Sequence, residues 1–477
     1  MFETGVRQLR MVMSMVWGRR IDPANLTRLV DDALATIAEF GEPGDDVQTL
    51  TEGPFADAES RRGFADGGLR RTARRLGQQS PFYARRFAAA EVDPARMDTT
   101  RLRSVPVTVK ADLVRQQRDF VCADAPPHLA TRTTGTTGQP AEIWLSRYET
   151  ALWPALGALA GVLRDDLRVD DVMQVNVSSR ATASVQLDVA TLRLAHGGCR
   201  VLGLVPPDEA LDSLADGQVT LLATVPSYLG ELVVAARRRG ATAADFGRLR
   251  RIDVGGEVLS PALAVAAAQT FGVPGVNDVF GMTEVLPVTG RTCSARHLHH
   301  DLNMGHVECL DLDTGEPAEP GALATVVITP YFPYRDCMPV FRYDTRDVVR
   351  VLPDGPLECE VAAVPGTSQV LGKADHLLRT ASGVVTPREL VEAVEALPTD
   401  PWPARFRAVA AGGRIALTLP ASAVDGLGVP GTADHFAARG LDVEVSVVPD
   451  DEARQLRTLR CDLRETTFVN RPALIGA

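Results

Sequence analysis

The sequence of 477 residues is nearly free of lysine, and arginine supplies almost all of its positive charge. Lysine occurs only at positions 110 and 373, within a total of 50 lysines and arginines. A GC-rich coding bias is the simplest cause. Its chemical consequence is that any step requiring a primary ammonium group has two candidates. The net charge of −11 argues against an extended nucleic-acid surface, because phosphate binding requires clustered Lys and Arg.

Long apolar runs and a cysteine framework are also absent. No stretch reaches the roughly 18 uninterrupted apolar residues that a membrane span requires. The short apolar run Met11–Trp17 is flanked by arginines and is better explained by an amphipathic first helix than by a signal peptide. Seven cysteines, scattered and odd in number, argue against disulfide scaffolding. We therefore expect a cytoplasmic protein, with no internal repeat and no low-complexity segment.

The length predicts two or more domains, because a single hydrophobic core rarely serves so long a chain. Apolar residues make up 45% of the sequence and charged residues 23%, as in ordinary globular proteins. Residues 1 to about 100 carry apolar residues at helical spacing, most clearly in Leu26–Phe40 and Arg61–Ala90. The chain is thus predicted to begin with helices.

From about residue 125, short β-branched runs alternate with amphipathic segments, which predicts parallel strands with crossover helices and hence an α/β core. The predicted strands are Asp171–Val177, Cys199–Val205, Thr220–Thr224, Arg251–Val254 and Gly275–Val279, and the clearest helices are Tyr228–Arg239 and Pro261–Phe271. Residues 305–350 instead predict a mostly antiparallel subdomain. Its strands are Val307–Leu312, Ala322–Thr329 and Val348–Val351.

A further break falls near residue 370. The segments after it predict helix Pro387–Leu397, strands Arg405–Ala410 and Arg414–Leu419, helix Thr432–Arg439 and strand Asp442–Val448. This order is typical of a small α+β module. We therefore predict a large N-terminal α/β domain over residues 1–370, with its antiparallel subdomain, and a small mobile α+β domain over residues 371–477.

The segment Thr133–Pro140 has the composition of a phosphate-binding loop. It reads Thr-Thr-Gly-Thr-Thr-Gly-Gln-Pro. Gly135 and Gly138 allow a tight turn that brings backbone N–H groups close to an anion, and threonine hydroxyls can donate to phosphate oxygens. An ordinary Thr/Gly turn is the alternative, since the sequence lacks the lysine of a Walker loop.

Four further segments combine glycine with acidic, hydroxyl or aromatic residues. In chain order they are Val254–Glu257, Asp278–Glu284, Phe341–Asp347 and Leu371–Asp375. Together with Thr133–Pro140 they resemble the motifs of the adenylate-forming superfamily of acyl-CoA synthetases, adenylation domains and luciferases. The segment Val105–Leu113 resembles phenylacetate-CoA ligases, and the resemblance extends from about residue 60 to the end of the chain.

The resemblance implies an ATP site. The loop would hold phosphates, the glycines after Val254 would flank the adenine, Phe280 would stack on it, and Asp347 would accept both ribose hydroxyls. The implied nucleotide-binding residues are Thr133, Thr134, Gly135, Thr136, Thr137, Gly138, Gly255, Gly256, Glu257, Asp278, Val279, Phe280, Gly281, Met282 and Asp347.

It also implies catalytic residues. Thr283 would hold the α-phosphate, Glu284 would ligate Mg²⁺, and Lys373 would reach the nucleotide. Asp375 occupies the position of the interdomain hinge. Lysine at position 373 replaces the arginine of the motif, so the charge is kept while the bidentate geometry is lost.

The sequence departs from the motifs of the superfamily at two places where those motifs carry a positive charge. Gln139 replaces the lysine that helps to hold pyrophosphate, and Asp451–Asp462 contains no counterpart of the C-terminal lysine that grips the attacking carboxylate. Arg454 or Arg457 could substitute, since guanidinium also pairs with phosphate. Alternatively, the acid is small or unusual and does not need this lysine.

A zinc site is a further implication, because some members of the branch carry a structural zinc on cysteine and histidine. Cys293, His299 and Cys359 match those positions, and Cys337 is a candidate fourth ligand. Mixed Cys/His sets favour tetrahedral Zn²⁺. A histidine-rich surface loop with buried cysteines is the alternative interpretation.

The predicted function is ATP-dependent adenylation of a small acid, expected to be aromatic, with release of pyrophosphate, followed by transfer to an acceptor such as coenzyme A. The acid pocket is expected around Trp144, Tyr148, Ser178–Ser184 and Val285–Pro287. One alternative is a diazotase of secondary metabolism that adenylates nitrous acid and diazotises an aryl amine, and a second is a non-catalytic nucleotide-binding protein. The branch implies a homodimer, and neither nucleic acid nor membrane is an expected partner.

Overall fold

The computed structural model describes residues 2–41, 57–133, 141–178, 182–353, 355, 357–362 and 364–455. The helices are α1 (Phe2–Val16), α2 (Pro23–Phe40), α3 (Ala58–Gln79), α4 (Pro81–Ala89), α5 (Lys110–Gln116), α6 (Arg147–Leu163), α7 (Thr182–Leu194), α8 (Pro207–Ala215), α9 (Pro226–Arg239), α10 (Pro261–Phe271), α11 (Pro387–Glu395), α12 (Gly428–Ala437) and α13 (Asp450–Gln455). Among these residues, no helix combines the length and the apolar composition of a membrane span.

The strands form one large sheet and several small ones. They are β1 (Pro127–Arg132), β2 (Glu142–Ser146), β3 (Val172–Asn176), β4 (Gly198–Val201), β5 (Leu221–Thr224), β6 (Arg251–Gly255), β7 (Val276–Phe280), β8 (Gly290–Thr292), β9 (His297–His300), β10 (Gly305–Asp311), β11 (Leu323–Pro330), β12 (Tyr343–Arg350), β13 (Gly366–Ser368), β14 (Gly372–Lys373), β15 (Leu378–Thr380), β16 (Gly383–Val385), β17 (Arg407–Ala411), β18 (Arg414–Pro420) and β19 (Val443–Val448).

The large sheet has the order β13-β9-β8-β7-β6-β5-β3-β4. Strands β4, β3, β5, β6 and β7 are parallel, and β8, β9 and β13 extend the sheet in antiparallel fashion. The predicted α/β core is confirmed. One predicted strand is too long: β4 ends at Val201 rather than Val205, because Gly203 turns the chain with a φ of +71°.

Alternating residues of the large sheet face two different layers. Leu222, Ile252 and Val254 are buried with helices α8, α9 and α10. Met173 and Val175 face the opposite side, toward α7. The crossover helices therefore cover both faces, as expected for parallel strands.

The predicted antiparallel subdomain is confirmed as the sheet β10-β11-β12-β14. Strand β12 begins at Tyr343, earlier than the predicted Val348, and so includes the proposed ribose residue Asp347. Just before it, Arg342 forms an ion pair with Glu308 at 2.9 Å and donates to the carbonyl of Val105 at 2.5 Å. These bonds fix the start of β12 against the N-terminal part of the chain.

The C-terminal segment contains the predicted helices and strands in the predicted order, with β17-β18-β19 as a small mixed sheet. Its side chains form a core of their own, which Val258 also joins. The Arg388 side chain of α11 donates to the carbonyls of Val370 and Leu259. The boundary at residue 370 and the mobility of this segment stay predictions.

Candidate active site

The predicted nucleotide residues from separate parts of the chain line one cavity of about 1150 Å³. It lies at the carboxyl ends of β5, β6 and β7, where the open ends of a parallel sheet form a crevice. The lining includes Thr133, Gly255, Gly256, Glu257, Asp278, Val279, Phe280, Gly281, Met282, Thr283, Glu284, Asp347, Lys373 and Asp375. The structure thus brings these residues together around one space.

Thr133 lies at the base of the predicted phosphate loop. Thr133 is buried, and its hydroxyl accepts a hydrogen bond from Ala141 N at 3.0 Å. Thr133 N also donates to the carbonyl of Ala141 at 2.9 Å, so the antiparallel pair β1–β2 holds the two ends of the loop together. The predicted residues Thr134, Gly135, Thr136, Thr137 and Gly138, together with Gln139 and Pro140, lie outside the described residues.

The glycines after Val254 allow the end of β6 to approach its neighbour. A Cβ at Gly255 would lie 2.6 Å from the carbonyl oxygen of Val279, and Gly256 adopts a φ of +77°. The next residue, Glu257, accepts a hydrogen bond from Ser227 N at 2.9 Å at the start of α9. This turn therefore combines a close backbone approach with a carboxylate that caps a helix.

Asp278 binds the C-terminal part of the chain. Its carboxylate accepts a hydrogen bond from Gln369 Nε2 at 2.9 Å and lies 3.9 Å from the Arg388 guanidinium. Burial raises the pKa of Asp278. Asp278 thus connects β7 to α11 while it lines the cavity.

Phe280 contributes its aromatic ring to the cavity. The ring meets His300 edge to face, with centroids 5.1 Å apart and an interplanar angle of 88°. Burial lowers the pKa of His300 to about 4, so this imidazole is neutral near pH 7. The neighbour that orients Phe280 therefore adds no charge to the predicted adenine site.

Glu284 is buried in the cavity wall, and the Tyr343 hydroxyl donates to its Oε1 at 3.5 Å. Burial raises the pKa of Tyr343, so the tyrosine remains a neutral donor. Within the described ranges, Glu284 has no ion-pair partner. A buried carboxylate with one neutral contact leaves lone pairs free for a hard cation.

Both lysines of the sequence line this cavity. Lys373 Nζ lies 2.9 Å from Asp347 Oδ1 and donates to the carbonyl of Thr345 at 3.0 Å. Asp375, the predicted hinge residue, forms an ion pair with Arg346 at 2.6 Å. Lys110, at the start of α5, was not among the predicted site residues, although its position in the Val105–Leu113 motif was a signal.

A cluster of four potential metal ligands lies at the edge of the large sheet. The ligand atoms of Cys293, His297, His299 and Cys359 lie within 4.8 Å of one another. Three of the four are the predicted residues, and His297 is an addition. The prediction of Cys337 as the fourth ligand is wrong: it is fully buried in the largest core, where its carbonyl accepts from Cys122 N at 2.8 Å.

Only some of the residues predicted for the acid pocket line the cavity. Ser178, Ser184 and Leu286 line the cavity. Trp144 and Tyr148 do not belong to its described lining, because the Trp144 indole donates to Glu142 and the Tyr148 hydroxyl accepts from the N-terminal segment. The sequence analysis missed Asp188, which shares the α7 face of Ser184.

Comparisons with known proteins support the prediction of an adenylate-forming enzyme. A family profile described as AMP-binding enzyme matches residues 109–326. Phenylacetate-coenzyme A ligase of Pseudomonas putida is 24% identical over 323 residues, which cover 66% of this chain and 71% of the ligase. The same enzyme of Escherichia coli (strain K12) is 24% identical over 344 residues, covering 68% of this chain and 74% of the ligase.

The solved structures agree on the fold. 2-Hydroxyisobutyryl-CoA ligase in its postadenylation state, in complex with an acyl-AMP, superposes with a TM-score of 0.72 at 18% identity and covers 89% of this chain and 93% of that one. The open conformation of that ligase, with 2-HIB-AMP and CoA, gives a TM-score of 0.61 at 19% identity, covering 82% and 88%. The chain is therefore an adenylate-forming ligase that is similar in sequence to phenylacetate-coenzyme A ligases and similar in fold to 2-hydroxyisobutyryl-CoA ligase.

Proposed function

We propose that this ligase uses ATP to adenylate a small aromatic carboxylic acid and then transfers the acyl group to coenzyme A. The observation that carries the proposal is the convergence of Gly255–Glu257, Asp278–Glu284, Asp347 and Lys373 on one cavity. Similar proteins include ligases named for phenylacetate and 2-hydroxyisobutyryl-CoA, which supports coenzyme A as the acceptor.

In the proposed reaction, a carboxylate oxygen of the acid attacks the α-phosphorus of ATP in line, and pyrophosphate leaves. The thiol of coenzyme A then attacks the acyl carbon, loses its proton and displaces AMP. The threonine hydroxyl of Thr283 and the ammonium groups of Lys110 and Lys373 would bind phosphate oxygens as negative charge builds up. The fixed positions of these donors around the cavity supply most of the proposed stabilisation.

Glu284 is the proposed Mg²⁺ ligand. Its buried carboxylate, with the Tyr343 hydroxyl as its described contact, fits an oxygen-seeking cation better than a structural role in the core. Bound Mg²⁺ would neutralise phosphate charge in this family of reactions. Asp347 would exchange its bond to Lys373 for the ribose hydroxyls, since a carboxylate can accept from both.

The direct test is ATP–pyrophosphate exchange with a panel of benzoates, phenylacetates, short aliphatic acids and nitrite. Exchange with a carboxylic acid, followed by formation of its thioester when coenzyme A is added, is the expected result. Exchange with nitrite alone, with AMP release in the presence of an aryl amine, would instead identify a diazotase. The absence of exchange with every acid, together with no nucleotide binding by calorimetry, would contradict the proposal.

We also propose a structural zinc on Cys293, His297, His299 and Cys359. His299 Nδ1 contacts the carbonyl of Val364 at 2.9 Å, an arrangement that turns Nε2 toward Cys359 Sγ, 3.5 Å away. His297 Nδ1 is buried without a hydrogen-bond partner in the described structure, as expected of an atom that a metal would satisfy. Two thiolates and two imidazoles make a common tetrahedral zinc set.

Metal analysis of the purified protein should therefore find about one zinc per chain. Cys293→Ser and Cys359→Ser should each reduce this content and lower the melting temperature, because a ligand set that links β9 to the segment before β13 is lost. Cys337→Ser is the matched control, since this cysteine lies in another core, and it should keep the zinc. A metal-free wild-type protein that a chelator does not destabilise would refute the site.

A further inference from the structure

Asp188 is a carboxylate of the cavity that belongs to none of the adenylation motifs. Asp188 lies on α7, where Ser184, Leu187 and Asp188 have the i, i+3, i+4 spacing of one helix face and all line the cavity. In the described part of the chain, no residue forms a hydrogen bond or an ion pair with the Asp188 carboxylate. An acid thus lines the cavity without a partner from the part of the chain that the structure describes.

The wall near Asp188 is a face of the large sheet. Ala223 of β5 and Asp253 of β6 are neighbours in register, and both line the cavity. Asp253 is already paired, because its Oδ1 accepts from Arg251 Nε at 2.7 Å and from Asn277 Nδ2 at 2.9 Å. Two carboxylates therefore share this part of the cavity, and of these two only Asp253 has hydrogen-bond partners among the described residues.

The surroundings of Asp188 disfavour the ionised form of its carboxylate. Burial raises the pKa of Asp188 to about 7, and the negative charge of Asp253 acts in the same direction. The other titratable group nearby, the Cys199 thiol, has a pKa raised to about 11, first by burial and then by the charge of Asp188. A partly desolvated acid that has no cation paired with it among the described residues is stabilised by a ligand that donates N–H groups.

The length of β6 between Asp253 and the turn at Gly255 gives a scale for the size of that ligand. Asp253 precedes Gly255 by two residues, which is about 7 Å along a strand at roughly 3.3 Å per residue. The cavity walls include the apolar residues Met173, Val177 and Leu298. An apolar spacer about as long as an aromatic ring would therefore connect the strand ends to the acidic region.

We propose that the acid this ligase activates carries an amino group and that Asp188 binds that group. The inference rests on the proposed function and names its substrate class: a small aminocarboxylic acid with one ring, or a spacer of similar length, between amine and carboxylate. The amine supplies the N–H donors that Asp188 lacks. An acid without the amine leaves the carboxylate unpaired, and the site then discriminates against it.

The test compares matched acids in ATP–pyrophosphate exchange, namely 4-aminobenzoate with benzoate and 4-aminophenylacetate with phenylacetate. The wild-type enzyme should prefer the amino member of a pair by at least about 10-fold in kcat/KM. Asp188→Asn should reduce that preference by about 10-fold or more, because the charged acceptor is lost. The control Asp434→Asn, which makes the same change at an exposed position on α12, should preserve the ratio.

Exchange that does not favour the amino acids, or a ratio unchanged in Asp188→Asn, would overturn this assignment while still supporting the proposed function. Failure of exchange with every acid would count against the proposed function. Calorimetric binding of the same acid pairs then decides on Asp188 independently of turnover. Tighter binding of the amino member by wild type but not by Asp188→Asn supports the assignment, and equal binding of both members contradicts it.

Discussion

Glu284→Gln should lower the rate of ATP–pyrophosphate exchange by about 100- to 1000-fold, the loss typical of removing one group that stabilises the transition state. The substitution keeps the size of the side chain and its contact with the Tyr343 hydroxyl, but it removes the charge that would hold Mg²⁺. Burial of Glu284 makes the effect large, because a charge contributes more where water is excluded. Initial rates at saturating acid and ATP provide the measurement.

The design separates metal binding from folding. The melting temperature of the variant should not fall below that of the wild type, since a buried carboxylate that has no ion-pair partner in the described ranges is replaced by a neutral amide. Raising the Mg²⁺ concentration should restore part of the exchange. Tyr343→Phe is the matched control, because it removes the hydroxyl partner of Glu284 and leaves the carboxylate in place. Full activity of Glu284→Gln at low Mg²⁺ would disprove the metal-ligand role.

Replacing either lysine by methionine should also reduce adenylation strongly, by about 100-fold for each variant. Methionine keeps the apolar stem of the side chain and removes the ammonium that would pair with phosphate oxygens. Lys373 is held 2.9 Å from Asp347, and Lys110 lines the same cavity. Single-turnover formation of the acyl-AMP separates this loss from any effect on the later transfer to coenzyme A.

Lys373→Arg serves as the control for charge, because the motif that Leu371–Asp375 resembles carries arginine at this position. This variant should retain most of the adenylation activity, whereas Lys373→Met should not. If both methionine variants remain nearly as active as wild type, the positive charge at the phosphates comes from arginines instead. Arg132 and Arg346, which also line the cavity, would then be the residues to replace.

Much of the fold was predictable because its signals are local. Parallel strands are buried on both faces, so β3, β5 and β6 appear in the sequence as short apolar or β-branched runs. The end of β4 was misplaced because Val201–Val205 looks like a strand, while the turn at Gly203 depends on backbone conformation. β-Propensity alone cannot distinguish these two cases.

The site was predictable where its residues cluster in sequence and not where tertiary contacts select them. Asp278–Glu284 forms a continuous segment, so its motif can be recognised in the sequence alone. Asp188 is a single acid in a helix, and only the packing of α7 against the sheet reveals that it lies in the cavity without a partner. Cys337 looked equivalent to Cys359 in the sequence, but Cys337 lies in the largest core and Cys359 beside His299.

The position of the two lysines confines the reactions of lysine side chains to one part of the molecule. Most proteins present many surface amines, so reagents and proteases directed at lysine act all over them. Here both lysine side chains line the predicted ATP site, so these reagents can modify lysine only there. A lysine-specific protease could cut the chain only after residues 110 and 373. Fragmentation at these two bonds would therefore report the opening of this one cavity, without any label introduced by engineering.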